Sequence, residues 1–177
     1  MLRMHVRSCR VALVGLMGAG KSRIGGQVAA LLGWPFFDAD RLIEERTGAS
    51  IEDLFRLRGE GAFRELETDV LAELSTKSLP LVAALGGGVV ERPENRERLK
   101  SSFFVVWLQV DPEQAAQRLG RGTGRPLLAG RPPRDALEEL RVRRETWYRD
   151  VAHLTLDTNT SEPEALGRAV AEALPSD

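Results

Sequence analysis

Two textures alternate along this chain: short continuous apolar runs, and longer stretches whose apolar residues recur with helical spacing. The runs Arg10–Val14 (RVALV), Pro35–Asp38 (PFFD), Leu81–Leu85 (LVAAL), Phe103–Leu108 (FFVVWL) and His153–Leu156 read as strands. Their unbroken apolar character suits a parallel sheet covered on both faces. Helical periodicity runs from about Lys21 to Leu32, over Arg41–Arg46, Ile51–Leu57 and Ala62–Leu74, and from after Asp111 to about Leu119. In the Ala62–Leu74 segment, Phe63, Leu66, Val70, Leu71 and Leu74 share one face. A charged helix over roughly Asp135–Arg149 and a terminal one over Glu162–Leu174 complete the set. Strands alternating with helices predict an α/β fold, a parallel sheet with helices on both sides. Gly120–Arg134, rich in Gly, Pro and Arg, reads as a loop and a candidate lid.

A length of 177 residues predicts one domain. The formal net charge of −1 argues against a broad electrostatic footprint for nucleic acid or membrane. The apolar stretch after the basic first ten residues is broken by glycines and ends in Lys21, so it reads neither as a signal peptide nor as a membrane span, and a cytoplasmic protein is the expectation. The single cysteine, Cys9, cannot form an intramolecular disulfide and reads as a partly buried packing residue. His5 and His153 lack metal-binding companions, and Trp34, Trp107 and Trp147 read as packing residues.

Gly15-Leu16-Met17-Gly18-Ala19-Gly20-Lys21-Ser22 fits G-x-x-x-x-G-K-[ST] between a predicted strand and a predicted helix. Such a loop turns successive N–H groups toward phosphate oxygens at a helix N-terminus. Lys21 then reaches the β- and γ-phosphates, and the Ser22 hydroxyl serves as a magnesium ligand. This identifies a nucleotide-phosphate binder without fixing the reaction.

Asp38-Ala39-Asp40 follows the second strand, at the carboxyl end of the sheet. One carboxylate there can hold magnesium through water while the other meets an acceptor hydroxyl; equally, Asp40 could cap the next helix. Gly86-Gly87-Gly88 offers bare backbone to a ligand or forms a permissive turn. Arg64, with Glu60 and Glu67 one turn to either side, reads by itself as a solvated ion pair.

The segments Gly15–Gly25, FFDAD with Ile43-Glu44, Ile51–Glu67, the triple glycine, Arg125-Pro126-Leu127-Leu128, Arg144 with Tyr148 and Ala152, and Asp157-Thr158-Asn159 before Pro163 resemble shikimate kinase in order and spacing. The resemblance covers nearly the whole chain. It implies a P-loop, nucleoside-monophosphate-kinase-like three-layer fold with a five-stranded parallel sheet. The single domain would carry a substrate-binding insertion at about 38–67 and a lid at about 120–134. The implied reaction is phosphorylation of shikimate by ATP with Mg²⁺, giving shikimate 3-phosphate for aromatic amino-acid biosynthesis. A monomer is expected.

Carried over by position, the resemblance makes Asp40, Arg64, Gly87 and Arg144 the shikimate ligands, and Ser22 and Asp38 the magnesium side. Gly18, Ala19, Gly20, Lys21, Ser22 and Arg23 would surround the phosphates, Arg125 would be the lid arginine, and Arg118 and Pro163 the walls around adenine. Lys21, Asp40 and Arg125 would be the catalytic groups. The chemistry agrees: a carboxylate ringed by hydroxyls calls for arginine forks at one end and an acid at the other.

Three positions depart from the family pattern. Arg23 stands where threonine is usual, Thr146 where proline is common, and Ser161 where an adenine-side arginine can occur. The rival readings are another small-molecule kinase of this fold, such as a gluconate kinase, and a non-catalytic shikimate sensor. A sensor would be expected to carry an appended DNA-binding region, for which the short stretch ahead of Arg10 has no room.

Overall fold

The computed structural model describes residues 10–120 and 125–175; His5, Cys9 and positions 121–124 of the expected lid lie outside them. Strands β1 (Arg10–Val14), β2 (Phe36–Asp38), β3 (Leu81–Ala84), β4 (Phe104–Gln109) and β5 (Leu154–Asp157) form one sheet in the order β2-β3-β1-β4-β5. All pairings are parallel, with Val11 opposite Val82 on one side and Phe104 on the other. The central strands β1, β3 and β4 are almost wholly buried, which is why their sequences read as continuous apolar runs. The edge strand β5 instead alternates half-buried and exposed residues.

Helices α1 (Lys21–Leu32), α2 (Ala39–Thr47), α3 (Ile51–Thr76), α4 (Pro93–Ser102), α5 (Pro112–Leu119), α6 (Pro133–Val151) and α7 (Pro163–Ala173) cover the sheet. The two amphipathic segments read at Ile51–Leu57 and Ala62–Leu74 are one element, α3, interrupted at Gly59. There φ is 79° and ψ 170°, a conformation essentially confined to glycine. Helix α4 has no counterpart among the elements expected from the sequence, because it buries only Asn95 and Leu99 and so presents almost no apolar periodicity.

The stretch Gly120–Arg134 also differs in part from the loop expected. Pro126–Leu128 form a 3-10 turn whose Leu128 is buried, and α6 already begins at Pro133. No helix among the described residues is long and apolar enough to cross a membrane.

Candidate active site

The carboxyl ends of β1, β2 and β3 open into a cavity of about 760 Å³, lined among others by Lys21, Ser22, Asp38, Asp40, Arg64 and Arg144. Each strand delivers its residues through a different local device. After β1, the chain curls through the glycine loop into α1, whose N-cap is Gly20 in the left-handed region. The Lys21 Nζ folds back and donates to the carbonyls of Gly15 at 2.8 Å and Leu16 at 2.9 Å. Gly18, Gly20, Ser22 and Arg23 also line the cavity, whereas Ala19 is fully buried and its N–H donates to the Leu16 carbonyl at 3.1 Å.

After β2, Asp38 rather than Asp40 caps the next helix. Its Oδ1 accepts from the N–H groups of Asp40 at 3.1 Å and Arg41 at 3.3 Å. Its Oδ2 accepts from the Ser22 hydroxyl at 2.5 Å. Capping by Asp38 leaves the Asp40 side chain free to face the cavity, where its Oδ1 is buried and makes no hydrogen bond.

Arg64 is not a solvated ion pair: it is 7% exposed, on the cavity side of α3. It pairs with the buried Glu67, and its Nη2 donates to Glu60 Oε1 at 3.0 Å. After β3, a Cβ on Gly86 would collide with Glu67 Oε1 and lie 3.4 Å from Asp40 Oδ1, and a Cβ on Gly88 would overlap the Arg64 guanidinium. The glycines are therefore required for close approach, and two buried carboxylate oxygens without hydrogen bonds converge over Gly86.

Arg144, on α6, is 1% exposed and lines the same cavity. Its Nε donates to Glu91 Oε1 at 2.8 Å, while Nη1 and Nη2 have no hydrogen-bond partner. Nη2 lies 2.8 Å from that same Glu91 oxygen, as an ion pair without hydrogen-bond alignment. Thr146, two residues on, leaves α6 helical through to Val151. Tyr148, one turn after Arg144, donates its hydroxyl to the Gly87 carbonyl at 2.5 Å.

On the nucleotide side, Arg118 lines the cavity and reaches the Gly18 carbonyl at 3.2 Å and the Thr158 hydroxyl at 3.2 Å. Arg125, exposed at the start of the 3-10 turn, also lines the cavity. Pro163, the first residue of α7, does not line it. Elsewhere, His153 takes a structural part: its Nδ1 accepts from the Val105 N–H at 3.0 Å.

Charge is held under tension here. Burial pushes the Lys21 ammonium down to about 8, with Asp40 opposing that shift. Burial also raises the Asp40 carboxyl above its ordinary range, reinforced by Asp38 and opposed by Lys21 and Arg125. The Glu67 carboxyl is likewise raised by burial, against the pull of Arg64. Titratable groups shifted by burial and by one another, gathered in one cleft, mark it as a candidate functional site.

Ser22 Oγ and Asp38 Oδ2 form a small all-oxygen donor set. No group of three or more His, Cys, Asp or Glu able to hold a metal occurs among the described residues. That donor set fits Mg²⁺, which keeps several waters and takes the rest of its shell from phosphate oxygens, better than a softer ion.

Neither Glu67 nor Glu91 carries a site signal of its own in the sequence. Glu67 was visible only as the helical neighbour of Arg64, and Glu91 only as an acid just after the glycine turn.

A protein-family model described as "Shikimate kinase" matches residues 17–175. A shikimate kinase from Moorella thermoacetica is 42% identical over 164 residues, covering 93% of each chain. One from Thioalkalivibrio sulfidiphilus is 44% identical over 153 residues, covering 86% of this chain and 80% of its own. The structure of a shikimate kinase from Acinetobacter baumannii in complex with shikimate superposes with a TM-score of 0.89 at 42% identity, covering 92% of this chain and 90% of that one. With sequence and fold in agreement over nearly its full length, the chain belongs to the shikimate kinase family.

Proposed function

We propose that the protein transfers the γ-phosphoryl group of ATP to shikimate, giving shikimate 3-phosphate and ADP. The observation that carries this reading is the set of buried polar atoms around the cavity that make no hydrogen bond. Two are carboxylate oxygens, Asp40 Oδ1 and Glu67 Oε1, and three are guanidinium nitrogens, Arg64 Nε and Arg144 Nη1 and Nη2. Unsatisfied buried groups are costly unless a ligand completes them. A ligand that donates hydroxyl protons at one end and presents a carboxylate at the other completes both sets.

Position in the cavity supports the following roles, except that of Pro163, which rests on the family resemblance alone. Arg64 and Arg144 take the acceptor's carboxylate, and Asp40 accepts a hydrogen bond from the attacking hydroxyl. Gly87 holds the acceptor's face against the turn after β3. The Lys21 ammonium and loop N–H groups draw in the β- and γ-phosphates, Arg118 and Pro163 flank the adenine, and Arg125 approaches from the lid. Ser22 and Asp38 hold Mg²⁺, which when bound supplies charge neutralisation on the phosphate oxygens.

In the transfer, the acceptor oxygen forms a bond to the γ-phosphorus as the bond to the β,γ-bridging oxygen breaks. The hydroxyl proton passes toward Asp40, whose raised pKa makes it a better acceptor than an ordinary carboxylate. Closing the lid excludes water, which would otherwise compete for the phosphoryl group.

The test is ADP production with ATP, Mg²⁺ and shikimate, beside reactions with gluconate and with no acceptor. Shikimate-dependent turnover lost in Lys21→Ala is the expected result. Turnover only with gluconate would discard the acceptor, and shikimate binding without turnover would favour a sensor.

A further inference from the structure

Glu91 does not line the cavity, yet it grips Arg144, which does and is 1% exposed. We propose that Glu91 is a positioning residue for acceptor binding, aiming Arg144 by occupying its Nε. The inference rests on the function proposed above, because it assigns the freed face of Arg144 to the acceptor's carboxylate.

The geometry divides the guanidinium in two. Glu91 Oε1 accepts from Nε at 2.8 Å and lies 2.8 Å from Nη2, along the Nε–Nη2 edge of the planar group, which leaves the Nη1–Nη2 end open. Nη1 and Nη2, which face no aligned acceptor in the protein, are the pair of donors that a ligand carboxylate can meet side by side. A guanidinium is planar and rigid, so fixing Nε fixes the direction of both terminal nitrogens. Nη1 lies 3.1 Å from where a Cβ on Gly87 would sit, which puts that nitrogen beside the glycine turn.

Glu91 is itself held by a frame of hydrogen bonds from α4. It ends the 3-10 turn Val89–Glu91, whose carbonyls are gathered by α4: Asn95 Nδ2 donates to Val89 O at 3.0 Å, and Arg96 Nη1 donates to Val90 O at 2.7 Å and Glu91 O at 3.1 Å. Arg96 in turn lies over the Trp147 ring at 5.1 Å, on the same helix as Arg144. The turn, α4 and α6 thus lock carboxylate and guanidinium to one another. The second oxygen, Oε2, accepts from the exposed Arg143 at 3.1 Å, leaving Oε1 to Arg144.

An anion beside an anion-binding arginine should, by charge alone, repel the acceptor. Positioning and charge therefore predict opposite signs, and substitutions separate them. Glu91→Gln keeps an oxygen for Nε and removes the charge, whereas Glu91→Ala removes both. The experiment is steady-state kinetics of the full-length protein with both variants, wild type and the control Arg143→Ala, with thermal melting of each.

The expected result is that Glu91→Ala raises KM for shikimate about fivefold or more, with kcat and KM for ATP within about twofold. Glu91→Gln and Arg143→Ala should keep KM within about twofold of wild type or below it. An unchanged or lowered KM in Glu91→Ala overturns the proposal, as does a Glu91→Gln variant impaired as much as Glu91→Ala. If Glu91→Ala does not fold, Glu91→Gln alone decides: a raised KM overturns the positioning role and a KM at or below wild type upholds it. Absence of shikimate turnover in the wild type defeats the proposed function itself, and this inference with it.

Discussion

The Tyr148 hydroxyl donates to the Gly87 carbonyl at 2.5 Å, tying α6 to the glycine turn after β3. The phenol is buried, and burial pushes its pKa up to about 12, so it stays a donor throughout the working range. Because carbonyl and following N–H share one rigid plane, this bond sets the direction of the Gly87–Gly88 peptide. Tyr148→Phe should destabilise the fold by about 1–3 kcal/mol, since the carbonyl loses its partner in a dry setting. KM for shikimate should rise more than KM for ATP. Denaturant melts and paired KM measurements check both.

Asp40→Asn should lower kcat by about 10²-fold or more while ATP affinity changes little, if the acid meets the acceptor hydroxyl as proposed. Equal losses in turnover and in nucleotide affinity, read by titration, would remove Asp40 from that role.

Arg64→Ala should raise KM for shikimate by about tenfold or more, a charged hydrogen bond being worth about 1.5–3 kcal/mol. It should also destabilise the protein, because Glu67 is left as an unpaired buried acid. Combining it with Glu67→Gln should restore part of the melting temperature and none of the KM.

The pH dependence follows from Lys21. Its folded-state pKa of about 8 lies below the ordinary 10.5, so between those values the unfolded chain holds a proton that the folded chain has lost. Stability of the free protein contributed by this group therefore rises as pH climbs through that window, and below it the cost of the buried charge is constant. A triphosphate restores the charge. Nucleotide binding above about pH 8 should then take up a proton and weaken with rising pH, measurable by calorimetry in buffers of different ionisation enthalpy.

Gly59→Ala should cost about 1–3 kcal/mol even though nothing lies within 4 Å of the added methyl group, because the strain is in the backbone. Urea melts measure it directly.

Much of this architecture was legible because its determinants are local. The buried strands announce themselves as apolar runs, and the phosphate loop is a contiguous string with strand before and helix after. What could not be read depends on partners distant in sequence. Arg64 looks solvated until the turn after β3 is folded over it, and Asp40 looks like a cap until Asp38 takes that place. Glu91 and Arg144 are 53 positions apart, with α4, β4 and α5 between them, so no periodicity relates them. Helix α4 escaped for the opposite reason: with so little of it buried, there was no apolar face to see.

The Lys21 ammonium resting on the carbonyls of Gly15 and Leu16 has a consequence for release as well as capture. The loop carries an internal placeholder, so an arriving phosphate exchanges with bonds already made instead of adding to a bare charge. Net affinity is then the difference between two sets of hydrogen bonds, smaller than either. When ADP departs, the carbonyls take the ammonium back, and the departing anion leaves no stranded cation behind. A site built this way holds its nucleotide firmly enough to react and loosely enough to begin again.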